Sequence, residues 1–230
     1  MNRGDLGVCM DEYDAAATDG GGTDAGSSVT DDDSNGSWDG KGLAVSGCER
    51  CPALVDSRGQ IVNGVGPADA DLLFVGEAPG ATEDEQGEPF VGRSGDVLDE
   101  TLREVGLDRA DVRITNTVRC RPPENRDPHA AERENCRGYL AYEVSAVDPE
   151  LVITLGKVPA EHLLGRSVGV TGEAGDIHEA TIGDESWRVM ICVHPAATLY
   201  DPSQGETLTG TLRAAAAYTG DGGQSTLGEF

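Results

Sequence analysis

Strand-like and helix-like stretches alternate along residues 71–218, and this alternation predicts an α/β fold with a parallel sheet and helices on both faces. Residues 71–76 (DLLFVG) form a short apolar run, with Glu77 directly after it. Residues 94–105 then set Val97, Leu98, Leu102 and Val105 at helical spacing, and Gly106 ends the pattern. A second strand is predicted over 112–118, and a helix over 129–147 that Asp148-Pro149 stops. A third strand over 151–155 precedes a short helix over 158–164. Residues 177–182 and 187–193 flank the turn GDES and predict a hairpin whose second arm is core; the last helix covers 206–218. Ligands in such folds bind beyond the carboxyl ends of the strands. Three polar patches begin there: GEAPGATEDEQGEPFVGRSG (76–95), NTVRCRPP (116–123) and HPAATLY (194–200).

The chain of 230 residues is long enough for one well-cored domain, read here as residues 41–218. Its 42 Asp and Glu against 17 Lys and Arg give a net charge of −25, and Lys41 and Lys157 are its lysines. Such self-repulsion strains a compact fold in dilute buffer. It largely vanishes at molar salt, where the screening length is roughly 3 Å. Acid excess, scarce lysine and few aromatics resemble the proteins of salt-in halophiles. Residues 1–40 hold ten acidic residues, one Arg and eight Gly with little apolar spacing, so they are predicted to be a disordered acidic tail. Residues 219–230 read as a flexible C-terminal tail. No apolar run reaches membrane length, and no basic and apolar leader opens the chain, so a cytoplasmic protein with no membrane partner is expected.

Six cysteines in an unsecreted chain argue for metal ligation over disulfides. Cys9 falls in the tail, and Cys192 in the apolar run 189–193 reads as a buried small hydrophobe. Cys48 and Cys51 form C-x2-C, a chelating pair on a tight turn, while Cys120 and Cys136 stand sixteen positions apart around a loop and a helix start. Four thiolates suit tetrahedral zinc or an iron–sulfur cluster, and spacing alone does not separate the two. Of the polar residues, Glu77, Glu83 and Asp84 follow a strand end, where a carboxylate could hold a water or stabilise a cation. Phe90 is an aromatic in a Gly-rich loop, fit for stacking or for packing the loop. Asn116 closes a strand with one acceptor and one donor able to read a ligand edge. His194 follows the most hydrophobic strand, on the side of Asn116 and Glu77. No G-x-S-x-G elbow, H-E-x-x-H or P-loop is present.

Together, the 76–95 stretch, NTVRCRPP, the four cysteines and HPAATLY resemble the family 4 uracil-DNA glycosylases over roughly residues 45–218. The resemblance, with the acid-rich composition, implies a haloarchaeal member of that family. It implies a three-layer α/β/α fold around a four-stranded parallel central sheet, and a 4Fe-4S cluster on Cys48, Cys51, Cys120 and Cys136. It implies a hydrolase that flips uracil from single- or double-stranded DNA and cleaves its N-glycosidic bond, starting base excision repair. Phe90 resembles the ring on which uracil stacks, with Gly76 also at the substrate. Asn116 resembles the reader of uracil N3–H and O4, and His194 the donor to O2. Glu77 and Glu83 resemble the pocket carboxylates. Ala78 stands where the best-known branch of the superfamily has an Asp water activator, so electrostatic help from Glu77 is the expected role.

Leu199 or Tyr200 is the expected wedge into the gap left by the flipped base. Arg93, Arg119, Arg121 and Arg126 are expected to give the site a basic field for phosphates, with salt weakening binding less than in non-halophilic relatives. A monomer is expected, with a sliding clamp as a candidate partner of the tail. Three rival readings remain at this point. One is a relative that bonds covalently to uracil-containing DNA, for which the run from Asn116 to His129 lacks the basic insertion. The others are a non-catalytic iron–sulfur binding module and a zinc-stapled module.

Overall fold

In the computed structural model the described residues are 36–38 and 42–220. The expectations for most of the N-terminal tail and for the last ten residues lie outside them. A small hairpin comes first, pairing β1 (Gly36–Trp38) with β2 (Leu43–Val45) antiparallel. Strand β1 falls inside the segment that the sequence assigns to the tail, so residues 36–38 depart from that expectation. The physical reason is Trp38, whose ring meets Tyr142 edge-on at 6.5 Å and lies under the Arg113 guanidinium. A short helix α1 (Pro52–Ser57) follows, with Cys51 at its N-cap position.

The central sheet contains β3 (Leu72–Gly76), β4 (Arg113–Asn116), β5 (Leu151–Leu155), β6 (Ile177–Ile182) and β7 (Glu185–Cys192). Its order is β4-β3-β5-β7-β6. Strands β4, β3, β5 and β7 are mutually parallel, and β6 adds an antiparallel edge through the expected hairpin. The four-stranded parallel sheet is therefore present, with a fifth strand on one side. Helices α2 (Ala81–Gln86), α3 (Arg93–Glu104), α4 (Ala130–Val147), α5 (Lys157–Leu164) and α6 (Gln204–Gly220) complete the domain.

Period-two alternation within β3 divides the core into two layers. Leu72 and Phe74 pack with Leu98 and Leu102 of α3 and Leu208 and Leu212 of α6. Leu73 and Val75 face the opposite way, onto Leu140 and Val144 of α4 and Leu163 of α5. Helices thus cover both faces, and strands buried on both sides read as continuous apolar runs. Burial of each such Leu or Phe stabilises the fold by about 1.5–3 kcal/mol. Helix α4 ends at Asp148, in the left-handed region at φ 52°, because Pro149 disfavours helical geometry in the residue before it.

A buried ionic network lies behind β4. Glu143 of α4 is fully buried, and its carboxylate accepts from Arg113 Nε at 2.9 Å, from the Thr115 hydroxyl at 2.8 Å and from Arg119. Arg113 also donates to the carbonyls of Gly66 (2.8 Å) and Gly64 (3.1 Å). Gly64 must be glycine, since a Cβ there would sit 2.1 Å from Glu143 Oε1. The two guanidinium groups overcome the burial that would otherwise protonate Glu143, and hold its carboxyl below the usual range. Removing the carboxylate leaves two buried cations facing each other. Glu143→Ala is expected to lower unfolding free energy by about 3–5 kcal/mol, measured by urea titration; a loss below about 1 kcal/mol would show that the network is solvated.

Candidate active site

Parallel pairing carries the predicted residues to one end of the sheet. Gly76 and Asn116 are register partners at the carboxyl ends of β3 and β4. His194 follows β7 by two residues, across from the end of β5. The predicted strand over 112–118 stops at Asn116, because Thr117 N–H and Val118 N–H turn onto the carbonyls of Gly76 (2.8 Å) and Glu77 (3.1 Å). A cavity of about 580 Å³ opens there, lined among others by Glu77, Glu83, Phe90, Asn116 and His194. Tyr200 and Leu199, the expected wedge candidates, also line it and are 83% and 43% exposed.

Gly76 creates the room. A Cβ at that position would lie 2.4 Å from Asn116 Oδ1 and 2.4 Å from Phe90 Cε2. Asn116 is buried, and its Oδ1 has no hydrogen-bond partner among the described residues. A buried acceptor left unpaired is costly, and such an atom beside a cavity is poised for a ligand N–H. Phe90 stands near His194, ring centroids 5.7 Å apart and planes tilted by 31°. Gly156, at φ 102°, leaves space for His194, since a Cβ would meet His194 Cβ at 3.1 Å.

The backbone N–H of Ala196 donates to His194 Nδ1 at 3.1 Å. That nitrogen must be unprotonated, so a neutral ring carries its proton on Nε2. Burial pushes the imidazole down to about 4, with Glu83 acting weakly the other way. The ring is therefore a neutral N–H donor near pH 7. Glu77 moves upward instead: burial first, then the charge and hydrogen bond of Asp127, raise it to about 7, with Arg133 opposing. Asp127 is a site residue that sequence reasoning missed; it lies in the Pro-rich loop before α4, where nothing in the spacing points to Glu77.

Glu83 has a different task from Glu77. Its two oxygens accept from the N–H groups of Gly80 (3.1 Å) and Gly92 (3.0 Å), so it ties together the two loops on either side of α2. Asp84 accepts both oxygens' worth of Gly59 N–H, at 2.8 and 2.9 Å, and serves as a second tie. The expected basic field is corrected as well. Arg119 is 2% exposed and pairs with Glu143, while Arg126 forms a two-point bridge to Glu132 at 2.7 and 2.8 Å. Arg121 donates to Asn125 at 2.8 Å, and Arg93 stays exposed at the cavity. Carboxylates thus take two of the four expected cations.

The four predicted cysteine ligands gather beside this end of the sheet. Cys48, Cys120 and Cys136 are buried, and all four thiols are free. Cys120 lies within electrostatic reach of Cys48 and Cys51, and Cys136 within reach of Cys120 and Cys51. Arg50 docks the C-x2-C turn on α4, donating to the Asn135 carbonyl (2.9 Å) and the Tyr139 hydroxyl (3.0 Å). Arg58 donates to Cys120 Sγ at 3.0 Å and Asn135 to Cys51 Sγ at 3.3 Å, the donor set that charged sulfur ligands need. Burial holds the Cys136 thiol up at about 11. Among the described residues no three side chains stand at the spacing of a single-ion site. Cys192 is buried in the core, as its sequence setting suggests.

A model of the Uracil DNA glycosylase superfamily matches residues 63–216. Similar relatives include the type-4 uracil-DNA glycosylase of Archaeoglobus fulgidus, 39% identical over 70% of this chain and 83% of that protein. That of Thermotoga maritima is 40% identical over 69% and 81%. The type-5 uracil-DNA glycosylase of Pyrobaculum aerophilum is 32% identical over 75% and 89%. The fold and site define a member of this superfamily. Within it, the chain belongs to the type-4 uracil-DNA glycosylases.

One consequence of the Ala196 contact is testable directly. In 15N NMR, His194 is expected to keep an unprotonated Nδ1 and a protonated Nε2 from pH 7 down past its ordinary value of 6.5 toward about 4. Titration near 6.5 would contradict a buried neutral donor.

Proposed function

We propose that this chain extrudes uracil from single- or double-stranded DNA and hydrolyses its N-glycosidic bond, opening base excision repair. The unpaired, buried Oδ1 of Asn116 carries the reading. It accepts uracil N3–H, and the amide of the same side chain donates to O4. Cytosine reverses both polarities, leaving buried groups unpaired, and is rejected. Phe90 supplies the stacking face. His194 donates Nε2–H to O2, where negative charge grows as the C1′–N1 bond breaks. A neutral, preorganised donor at that point lowers the barrier more than it strengthens substrate binding.

The departing base takes the bonding electron pair, and the sugar becomes cation-like before water adds at C1′. Glu77, when ionised, favours that cation and orients the water, whose proton passes to solvent as it adds, while the uracil leaves as an anion that solvent protonates after release. Glu83 holds the loops in place by its two backbone contacts. Exposed Leu199 or Tyr200 fills the gap in the stack. Cys48, Cys51, Cys120 and Cys136 would hold a 4Fe-4S cluster. When bound, the cluster supplies a structural cross-link and no step of hydrolysis. Residues 41–218 form the catalytic domain, acting as a cytoplasmic monomer. The acid-rich surface suits molar salt, where phosphate repulsion is screened. Exposed Arg93 and half-buried Arg121 contribute what remains of the basic contact.

Wild-type protein is expected to release uracil from a uracil-bearing oligonucleotide at high KCl, and Asn116→Ala to lower kcat/KM about a hundredfold or more. Uracil release by Asn116→Ala at the wild-type rate would refute the reading.

A second prediction concerns pH. Glu77 titrates at about 7 when folded against 4.5 unexposed to the fold, so the fold favours its protonated form. That stability contribution is present below 4.5 and lost as pH rises through about 7, while activity rises over the same limb. Asp127→Asn removes one raising influence and is expected to move the acid limb of kcat to lower pH; an unmoved limb would separate Asp127 from Glu77.

A further inference from the structure

We propose that Arg109 is a positioning residue for the base-stacking ring, an inference that rests on reading Phe90 as the platform. Phe90 sits at φ 53°, a conformation that a bulky L residue adopts only when its surroundings impose it. The rotations about its Cα are set by the two peptide planes on either side. One plane contains the Pro89 carbonyl and the other the Phe90 carbonyl. The Arg109 guanidinium grips both oxygens: Nη1 donates to Phe90 O at 3.0 Å, and Nη2 donates to Pro89 O. Holding both carbonyls fixes φ and ψ together, and so fixes the direction in which the ring leaves the backbone.

The clamp is itself anchored. Arg109 Nη1 also donates to Asp99 Oδ1 of α3 at 3.0 Å. From the same helix, Gly95 presses so close that a Cβ would lie 1.9 Å from Phe90 O. The ring then reaches its place against Gly76, where no Cβ fits. A planar fork with several donors can hold two carbonyls and a carboxylate at once; a lysine ammonium is a point charge that cannot reproduce the geometry. The guanidinium is a quarter exposed, so its loss does not open the core.

The test compares wild type with Arg109→Ala, Arg109→Lys and Phe90→Ala. Three quantities are read: kcat/KM on a uracil oligonucleotide, Kd for an oligonucleotide carrying a tetrahydrofuran abasic site, and the thermal midpoint. Abasic DNA has no base to stack, so its affinity does not depend on the platform. Arg109→Ala is expected to lower kcat/KM about tenfold to a hundredfold, with abasic-site Kd within about twofold and Arg109→Lys between the two. If Arg109→Ala does not fold, Arg109→Lys with Asp99→Asn carries the same comparison. Near-wild-type turnover in the Arg109 variants beside a strongly impaired Phe90→Ala overturns the clamp. Parallel loss of turnover and abasic-site affinity also overturns it, in favour of a general structural role. Wild-type turnover in Phe90→Ala instead overturns the platform reading itself.

Discussion

A carbonyl oxygen buried without a donor costs about 1–3 kcal/mol until something supplies one. The rest of this active end is arranged around such an atom, Asn116 Oδ1. Parallel register sets Asn116 level with Gly76, and the missing side chain at Gly76 lets Phe90 approach the same spot. His194 arrives from the end of β7, three strands along from β4, with its only acceptor nitrogen already satisfied by Ala196. Among the described residues that line it, the pocket therefore offers the unmet Asn116 acceptor, N–H donors on the Asn116 amide and on His194 Nε2, and the face of Phe90. That combination suits a flat ring bearing both an N–H and a carbonyl.

The strand that carries Asn116 is secured from inside and outside the sheet. Thr115, one residue earlier, bonds Glu143, and Arg119, three residues later, pairs with the same carboxylate. Cys120 comes next, so the chain passes directly from the buried ionic network to the thiol cluster. Replacing such a network by apolar side chains could leave stability unchanged. Its value here is directional: each partner accepts only one placement of the loop that follows β4. The Arg50 contacts on α4 and the Arg58 contact on Cys120 bring the distant C-x2-C turn into the same frame.

Much of this was legible in the linear sequence, for physical reasons that differ by element. Strands β3 and β5 are buried on both faces, so LLFVG and LVITL announce themselves as apolar runs. Asn116 and His194 draw attention because strand ends point at ligands in this fold class, and Phe90 because it is an aromatic in a Gly-rich loop. Helix α2 escaped notice because ATEDEQ is polar throughout and its order comes from Glu83 and Asp84 binding loops on either side. Arg119 reads as a surface cation in NTVRCRPP, yet its partner is 24 residues away on α4. Asp127 and Arg109 act through contacts that no local pattern encodes. Strand β1 depends on one tryptophan meeting groups from β4 and α4.

The central claim is that Asn116 Oδ1 awaits the N3–H of a pyrimidine. Product inhibition by free bases tests it most directly. Uracil should inhibit cleavage competitively, and 3-methyluracil, which carries no N3–H, should inhibit at least about a hundredfold more weakly. Equal inhibition by the two bases would contradict the account.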